Sequence, residues 1–224
     1  MVTKLNYKVL DCTLRDGGYY TDWKFETPLV RKMVKALDNN GVDIIELGYK
    51  SPIKGGPYRK CNDGFISDII DFKVNASLAF MIDVKDYVLD GKVNHELLLD
   101  IIKPQNTFQV CRVAAKYDEL IYLSTIVKLI QGLGYRVICN LMAASRLTKK
   151  EITNYVSIAN SLNLEAIYVA DSYGALYPTD VNSIFSNKEI TGIHTHDNMG
   201  LAFANCLEAI NQGATYIDGT LRLY

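Results

Sequence analysis

The chain has 224 residues, 49% of them hydrophobic and 22% charged, with a formal net charge of -1. That is ample apolar material for a core, with no compositional sign of disorder, and the length suits one α/β barrel. The near-neutral balance gives nothing that favours a nucleic-acid backbone or an anionic membrane as partner, and no apolar run approaches the length of a membrane span, so neither partner is expected.

Residues 1–6 lack the apolar core of a secretory signal. The five cysteines, Cys12, Cys61, Cys111, Cys139 and Cys206, are odd in number, scattered and never in C-x-x-C spacing. Free thiols in apolar runs behave as small hydrophobes, and a reducing cytoplasmic location is expected.

In chain order, residues 9–14 form the first apolar, β-branched run. Thr27 and Pro28 then read as an N-cap and first helical position. Val30, Met33, Val34 and Leu37 recur at helical spacing behind them, and Gly41 closes the helix. Runs at 43–48 and 78–83 read as the second and third strands. Between them, 49–64 carries Ser51, Pro52, Gly55, Gly56 and Pro57, which predict a long lid or binding loop. His95 opens a helical stretch and reads as a surface or cap residue. Residues 108–113 are the next run, followed by a helix over 120–131 that Gly132 and Gly134 end. After the run at 136–141, Thr148 and Glu151 make a capping box, with Ile152, Tyr155, Val156 and Ala159 as the buried stripe. The last runs are 166–171, 191–196 and 214–219.

Most of these runs are nearly continuous in apolar character, as strands buried on both faces are, which predicts a parallel sheet with helices outside. About eight of them predict a (β/α)8 TIM barrel of α/β class, one domain over residues 1–224. The competing open, doubly wound sheet usually shows a glycine-rich phosphate turn after its first strand, where this chain has Arg15-Asp16-Gly17-Gly18.

Polar residues gather where the predicted strands end: Arg15 and Asp16, Glu46, Asp83, Arg112, Asn140, Asp171-Ser172, and His194, His196, Asp197 and Asn198. In a barrel these positions share one rim, where catalytic groups sit. His194 and His196 are two of only three histidines. Two residues apart on an extended strand, they would share a face and could ligate one metal. Alone, H-x-H is equally the pattern of two hydrogen-bonded strand histidines. Asp16 would add a hard carboxylate ligand, and the set suits Mn²⁺, Mg²⁺ or Zn²⁺ with positions open for a chelating substrate.

Two motifs carry a resemblance. Residues Asp11-Cys12-Thr13-Leu14-Arg15-Asp16-Gly17-Gly18 resemble a D-x-T-L-R-D-G signature, and His194-Thr195-His196-Asp197-Asn198-Met199-Gly200-Leu201-Ala202 an H-x-H-D-N-x-G-x-A signature. Both are those of the DRE-TIM metallolyase superfamily of HMG-CoA lyase-like, or pyruvate carboxyltransferase, domains. Asp218-Gly219-Thr220 resembles the end of its last strand. The Asp-Gly-Gly-Tyr opening is most similar to the 4-hydroxy-2-oxovalerate aldolase branch. The resemblance implies a metal held by Asp16, His194 and His196, with Arg15 facing the enolate oxygen of a small 2-oxo acid. It implies a carbon–carbon lyase working through a metal-stabilised enolate. Arg112, Asn140 and Ser172 would orient substrate, and Glu46 would belong to the same substrate site or anchor Arg15.

The chain departs from the family in two places. Aldolases of this group carry a histidine base shortly after the metal aspartate, where this chain has Tyr19 followed by Tyr20; a phenol is a weak base at neutral pH. Tyr19 is thus expected as the catalytic acid–base group, or as a ring packed over the rim. The family also continues past its last strand into a glycine-rich segment and closing helix, whereas this chain reads Leu221-Arg222-Leu223-Tyr224. A barrel truncated after its eighth strand is therefore expected, with apolar surface for a partner or homo-oligomer to cover. The alternatives to the lyase are an acyl-CoA-dependent Claisen-type synthase on the same site, or a degenerate non-catalytic barrel.

Overall fold

The computed structural model describes residues 6–104 and 107–221. Eight parallel strands close into a barrel: β1 (Lys8–Asp11), β2 (Ile44–Tyr49), β3 (Ser77–Asp83), β4 (Val110–Ala115), β5 (Arg136–Leu141), β6 (Ala166–Ala170), β7 (Gly192–His194) and β8 (Tyr216–Gly219). Each pairs with the next, and β8 closes the ring on β1 with Leu10 opposite Asp218. The predicted TIM barrel is the observed fold.

Outside lie α1 (Thr13–Thr21), α2 (Thr27–Asn39), α3 (Pro57–Lys60), α4 (Asp63–Ile69), α5 (His95–Ile101), α6 (Leu120–Gly132), α7 (Lys149–Asn160), α8 (Pro178–Ile184) and α9 (Ala202–Asn211). The long helices form where the apolar stripe recurs: Val30, Met33, Val34 and Leu37 of α2 and Leu123, Val127 and Ile130 of α6 are buried against the sheet. The Thr148–Glu151 capping box opens α7 as predicted.

Alternation along the strands divides the core in two. Leu10, Ile44, Ala79, Val110, Ile138, Ala166, Tyr168 and Tyr216 fill the barrel, while a larger cluster lies between sheet and helices. Gly192 makes the interior packing possible, because a Cβ there would strike the Tyr168 ring.

Four readings are corrected. The first strand stops at Asp11, and Thr13 already begins a helix, so Arg15 and Asp16 stand in the first turns of α1. Stretch 49–64 is not an open loop, since α3 and the start of α4 fall within it. The seventh strand ends at His194, leaving His196 beyond the ladder. Glu26, not Thr27, precedes α2 as its cap. His95 is exposed behind the Asn94 cap, as read. Arg222, Leu223 and Tyr224 lie outside the described residues. Among the described residues no helix follows β8, and Val9 and Ile217 face a groove shared with Phe203 and Leu207 of α9. No described helix is long and apolar enough to cross a membrane.

Candidate metal centre

The chain turns from β1 into α1 because Asp11 holds the next residues but one. Its carboxylate accepts from the Thr13 amide at 3.1 Å and the Thr13 hydroxyl at 2.8 Å. Thr13 Oγ1 in turn accepts the Leu221 amide at 2.7 Å, tying α1 to the chain beyond β8. This sets α1 at the C-terminal end of β1, with Arg15 buried against Glu46 and Asp16 beside it.

A closed circuit of charge follows. Asp16 pairs with Arg15, whose Nε donates to Glu46 Oε2 at 2.8 Å. Arg112 Nη1 reaches the same Glu46 oxygen at 3.3 Å, and its Nη2 lies 2.8 Å from Asp218 Oδ2. Asp218 Oδ2 meets His194 Nδ1 at 2.8 Å, and His194 Nε2 returns to Asp16 Oδ2 at 3.7 Å. Three carboxylates, two guanidiniums and an imidazole thus alternate around the mouth. Burial pushes the Asp16 and Asp218 carboxyls up, but the Arg15 guanidinium at one, and the Arg112 guanidinium with the His194 hydrogen bond at the other, hold both below the usual carboxylate value. Both are anionic at neutral pH, and each buried charge has an opposite neighbour.

The hydrogen bonds fix the histidine tautomers. An ionised carboxylate only accepts, so His194 carries its proton on Nδ1 toward Asp218. In the neutral ring that leaves the lone pair on His194 Nε2, which is buried with no hydrogen-bond partner. His196 Nδ1 lies 2.8 Å from the Asp171 carbonyl oxygen, which also only accepts, so its Nε2 is likewise the lone-pair nitrogen. The two rings meet edge-on, centroids 4.8 Å apart. A second partner that fixes the tautomer and aims the other nitrogen is how metal-ligating histidines are held. Cys12, Asp16 and His194 offer ligand atoms within 4.8 Å of one another, with Cys12 Sγ donating to Asp16 Oδ2 at 3.3 Å. The orphaned His194 nitrogen beside an ionised carboxylate fits a divalent cation; His196 flanks this trio rather than belonging to it.

The other expected residues divide. Arg15 is buried yet keeps Nη2 unpartnered, and Asn140 keeps Oδ1 unpartnered. Glu46 and Arg112 are wholly enclosed, with Arg112 also stacked over Tyr168 at 4.7 Å. Ser172 Oγ accepts from the Ala143 amide. Tyr19 is 61% exposed, its hydroxyl 2.9 Å from that of Tyr49 and its ring edge-on to Trp23. The groove lined by Val9, Phe203, Leu207 and Ile217, about 760 Å³ in all, runs on to Cys12, Asp16, Tyr19, His194, His196 and Asp218. Sequence reasoning passed over Asp218 and Cys12 as site residues. The available signal for Asp218 was parity, since it lies two residues from inward-facing Tyr216 on the strand beside H-x-H. Asp171, read as a rim group, instead accepts the Ala175 and Leu176 amides and braces its own loop.

Fold and mouth together define a (β/α)8 barrel of the kind that carries a carboxylate–imidazole centre on its C-terminal rim. The chain belongs to the HMGL-like family, which matches it over residues 104–222. It is 28% identical over 220 residues to 4-hydroxy-2-oxovalerate aldolase of Geobacillus genomosp. 3, across 96% of this chain and 64% of the relative. The chain thus spans a little under two thirds of that relative's length. Among solved structures, it superimposes with a TM-score of 0.77 on the N-terminal domain of an aldolase candidate from Bacteroides vulgatus, at 25% identity, covering 96% of this chain and 72% of that one. Its TM-score with HMG-CoA lyase of Bacillus subtilis is 0.75, at 16% identity over 96% of this chain and 77% of the lyase, a likeness of fold.

Proposed function

We propose that this chain is a divalent-metal-dependent carbon–carbon lyase of aldolase type that acts on a small 4-hydroxy-2-oxo acid. The observation that carries this reading is the buried, unpartnered His194 Nε2 facing ionised Asp16, its tautomer fixed by Asp218. The aldolase relative supports it. Asp16 and His194 would hold the cation from within this cluster and His196 from its flank, with the Cys12 thiol beside them. When bound, the cation supplies a Lewis acid for the keto and carboxylate oxygens of a 2-oxo acid.

The chain's own groups do the rest. Arg15 has one free guanidinium nitrogen, Nη2, to donate toward the keto oxygen as negative charge builds there. Glu46 and Arg112 are positioning residues: Glu46 fixes Arg15 through Nε, and Arg112 holds Asp218. The Tyr19 hydroxyl is the proton carrier at the substrate's C4 hydroxyl, with the Tyr49 hydroxyl behind it as relay. As the C3–C4 bond breaks, the C4 hydroxyl proton leaves, the aldehyde departs and the bonding pair becomes the enolate of the 2-oxo acid. Protonation at C3 then completes the step. Asn140 Oδ1 and Ser172 flank the mouth as orienting groups.

The test has two parts. Purified protein should bind one equivalent of Mn²⁺ and exchange the methyl protons of pyruvate with solvent. Asp16→Ala and His194→Ala should each abolish stoichiometric metal binding while circular dichroism stays that of the parent. Tight metal retained by both variants would place the centre elsewhere, and wild-type protein without exchange would sink the lyase reading.

A further inference from the structure

Cys12 stands where α1 needs a cap and does not act as one. A serine, threonine, aspartate or asparagine there would accept from one of the unpaired first-turn amides. Cys12 precedes α1 without any such side-chain hydrogen bond. Its backbone is fastened to the last strand instead, the Cys12 amide donating to Gly219 O at 3.0 Å. The Asp16 amide donates to Cys12 O at 2.9 Å, so the two residues stand one helical turn apart on the same face. The Cys12 side chain is wholly enclosed, within the cluster that fills the barrel.

The sulfur faces the carboxylate–imidazole pair. Sγ lies 3.3 Å from Asp16 Oδ2, 4.0 Å from His194 Nδ1 and 3.5 Å from Gly219 O. Asp16 Oδ2 in turn lies 3.7 Å from His194 Nε2. Ligand atoms held about 2.0–2.3 Å from one zinc ion in a tetrahedron stand roughly 3.5 Å apart. Two edges of such a figure, sulfur to oxygen and oxygen to nitrogen, are therefore set at that spacing. Cys12, Asp16 and His194 together offer ligand atoms within 4.8 Å of one another, whereas His196 is not of this group. The buried, unpartnered His194 Nε2 is an independent sign that an ion belongs beside them.

We propose that Cys12 is a direct sulfur ligand of the cation at this centre, and that it makes the centre selective for Zn²⁺ over Mg²⁺ and Mn²⁺. This rests on the reading of Asp16 and His194 as a metal centre. Thiolate is a soft donor that suits zinc, whereas magnesium and manganese favour carboxylate, carbonyl and water oxygens. On ligation a metal–sulfur bond replaces the S–H bond, the thiol proton leaves to solvent, and the sulfur is neither oxidised nor reduced. The hydrogen bond from Cys12 to Asp16 gives way to a cation shared by both.

Co²⁺ is the spectroscopic stand-in for zinc. One equivalent added to metal-free wild type should give an intense sulfur-to-cobalt charge-transfer band in the near ultraviolet. Cys12→Ser should still bind one equivalent of Co²⁺ by calorimetry but lack the band. Serine keeps the size and the hydrogen bond to Asp16, so a cysteine that only positions Asp16 would leave the ratio of Zn²⁺ to Mn²⁺ affinity where it was. A ligating cysteine should instead lower that ratio about ten- to a hundredfold in Cys12→Ser, the range that losing even a partner of a ligand costs. X-ray absorption of zinc-loaded wild type depends on no variant and should show one sulfur neighbour at about 2.3 Å. It decides the matter should Cys12→Ser fail to fold. Cobalt bound without the band, a band that survives in Cys12→Ser, an unchanged affinity ratio or a zinc shell without sulfur would each overturn the assignment and leave the Asp16–His194 centre standing. Wild type that binds none of these ions would remove the centre itself, and Cys12 with it.

Discussion

At the scale of single residues, the mouth is organised by what each polar atom can and cannot do. Asp218 accepts only, so His194 is protonated on the side away from Asp16. Were Asp218 apolar, Arg112 would be an enclosed cation with one partner fewer. Asp11 serves differently, because it shapes the backbone of α1. Burial raises its carboxyl to about 6, with the two Thr13 hydrogen bonds opposing. A carboxyl raised in the folded state stabilises the fold fully below its unfolded value of 3.8, and that contribution is lost as pH rises through about 6. The melting temperature of wild type relative to Asp11→Asn should therefore fall between about pH 4 and pH 7 and level off above. A difference that stays constant across that range would show that Asp11 titrates normally.

At the scale of elements, helices are fastened to strands by buried hydroxyls as well as by apolar stripes. Tyr155 of α7 is fully enclosed, and its hydroxyl donates toward Cys139 O at 2.9 Å and Tyr168 O at 3.1 Å. One side chain thus ties α7 to both β5 and β6. Tyr155→Phe should destabilise the protein by about 1–2 kcal/mol. For a chain of this size that is a loss of roughly 2–4 °C in Tm per kcal/mol, read by thermal melting. An unchanged Tm would mean that the two carbonyls need no third donor. Helix α1 shows the converse case. Its sequence has two adjacent glycines and a low apolar content, and it holds its place through Asp11, Trp23 and the Arg15–Glu46 pair.

At the scale of the whole molecule, the barrel is closed but unevenly clothed. Phe203 is 76% exposed and Leu207 46% exposed, beside the outer faces of β8 and β1. An apolar patch of this kind marks a contact surface or an aggregation liability. Replacing both with serine should lower binding of an apolar reporter dye and reduce concentration-dependent light scattering. Equal dye binding in the double variant would show that the exposed apolar surface lies elsewhere.

The apolar runs were enough for a parallel sheet with helices outside, and the count of about eight, with Arg15-Asp16-Gly17-Gly18 in place of a phosphate turn, pointed to the closed barrel. Strand runs that are apolar on both faces can be buried only between helices, and the run at 136–141 coincides with β5 (Arg136–Leu141). The candidate site was legible through its ends, Asp16 and the H-x-H pair, because histidine is scarce in this chain and Asp16 stands in the opening Asp11–Gly18 motif. Its closure was not legible. Nothing local says that Asp218 fixes the His194 proton or that Glu46 is shared by Arg15 and Arg112. Those are contacts across 24 and 66 residues of chain, in the cases of His194–Asp218 and Glu46–Arg112. Local pattern governs which face of an element is buried; which buried charges meet depends on closing the ring of strands, and only tertiary structure decides that.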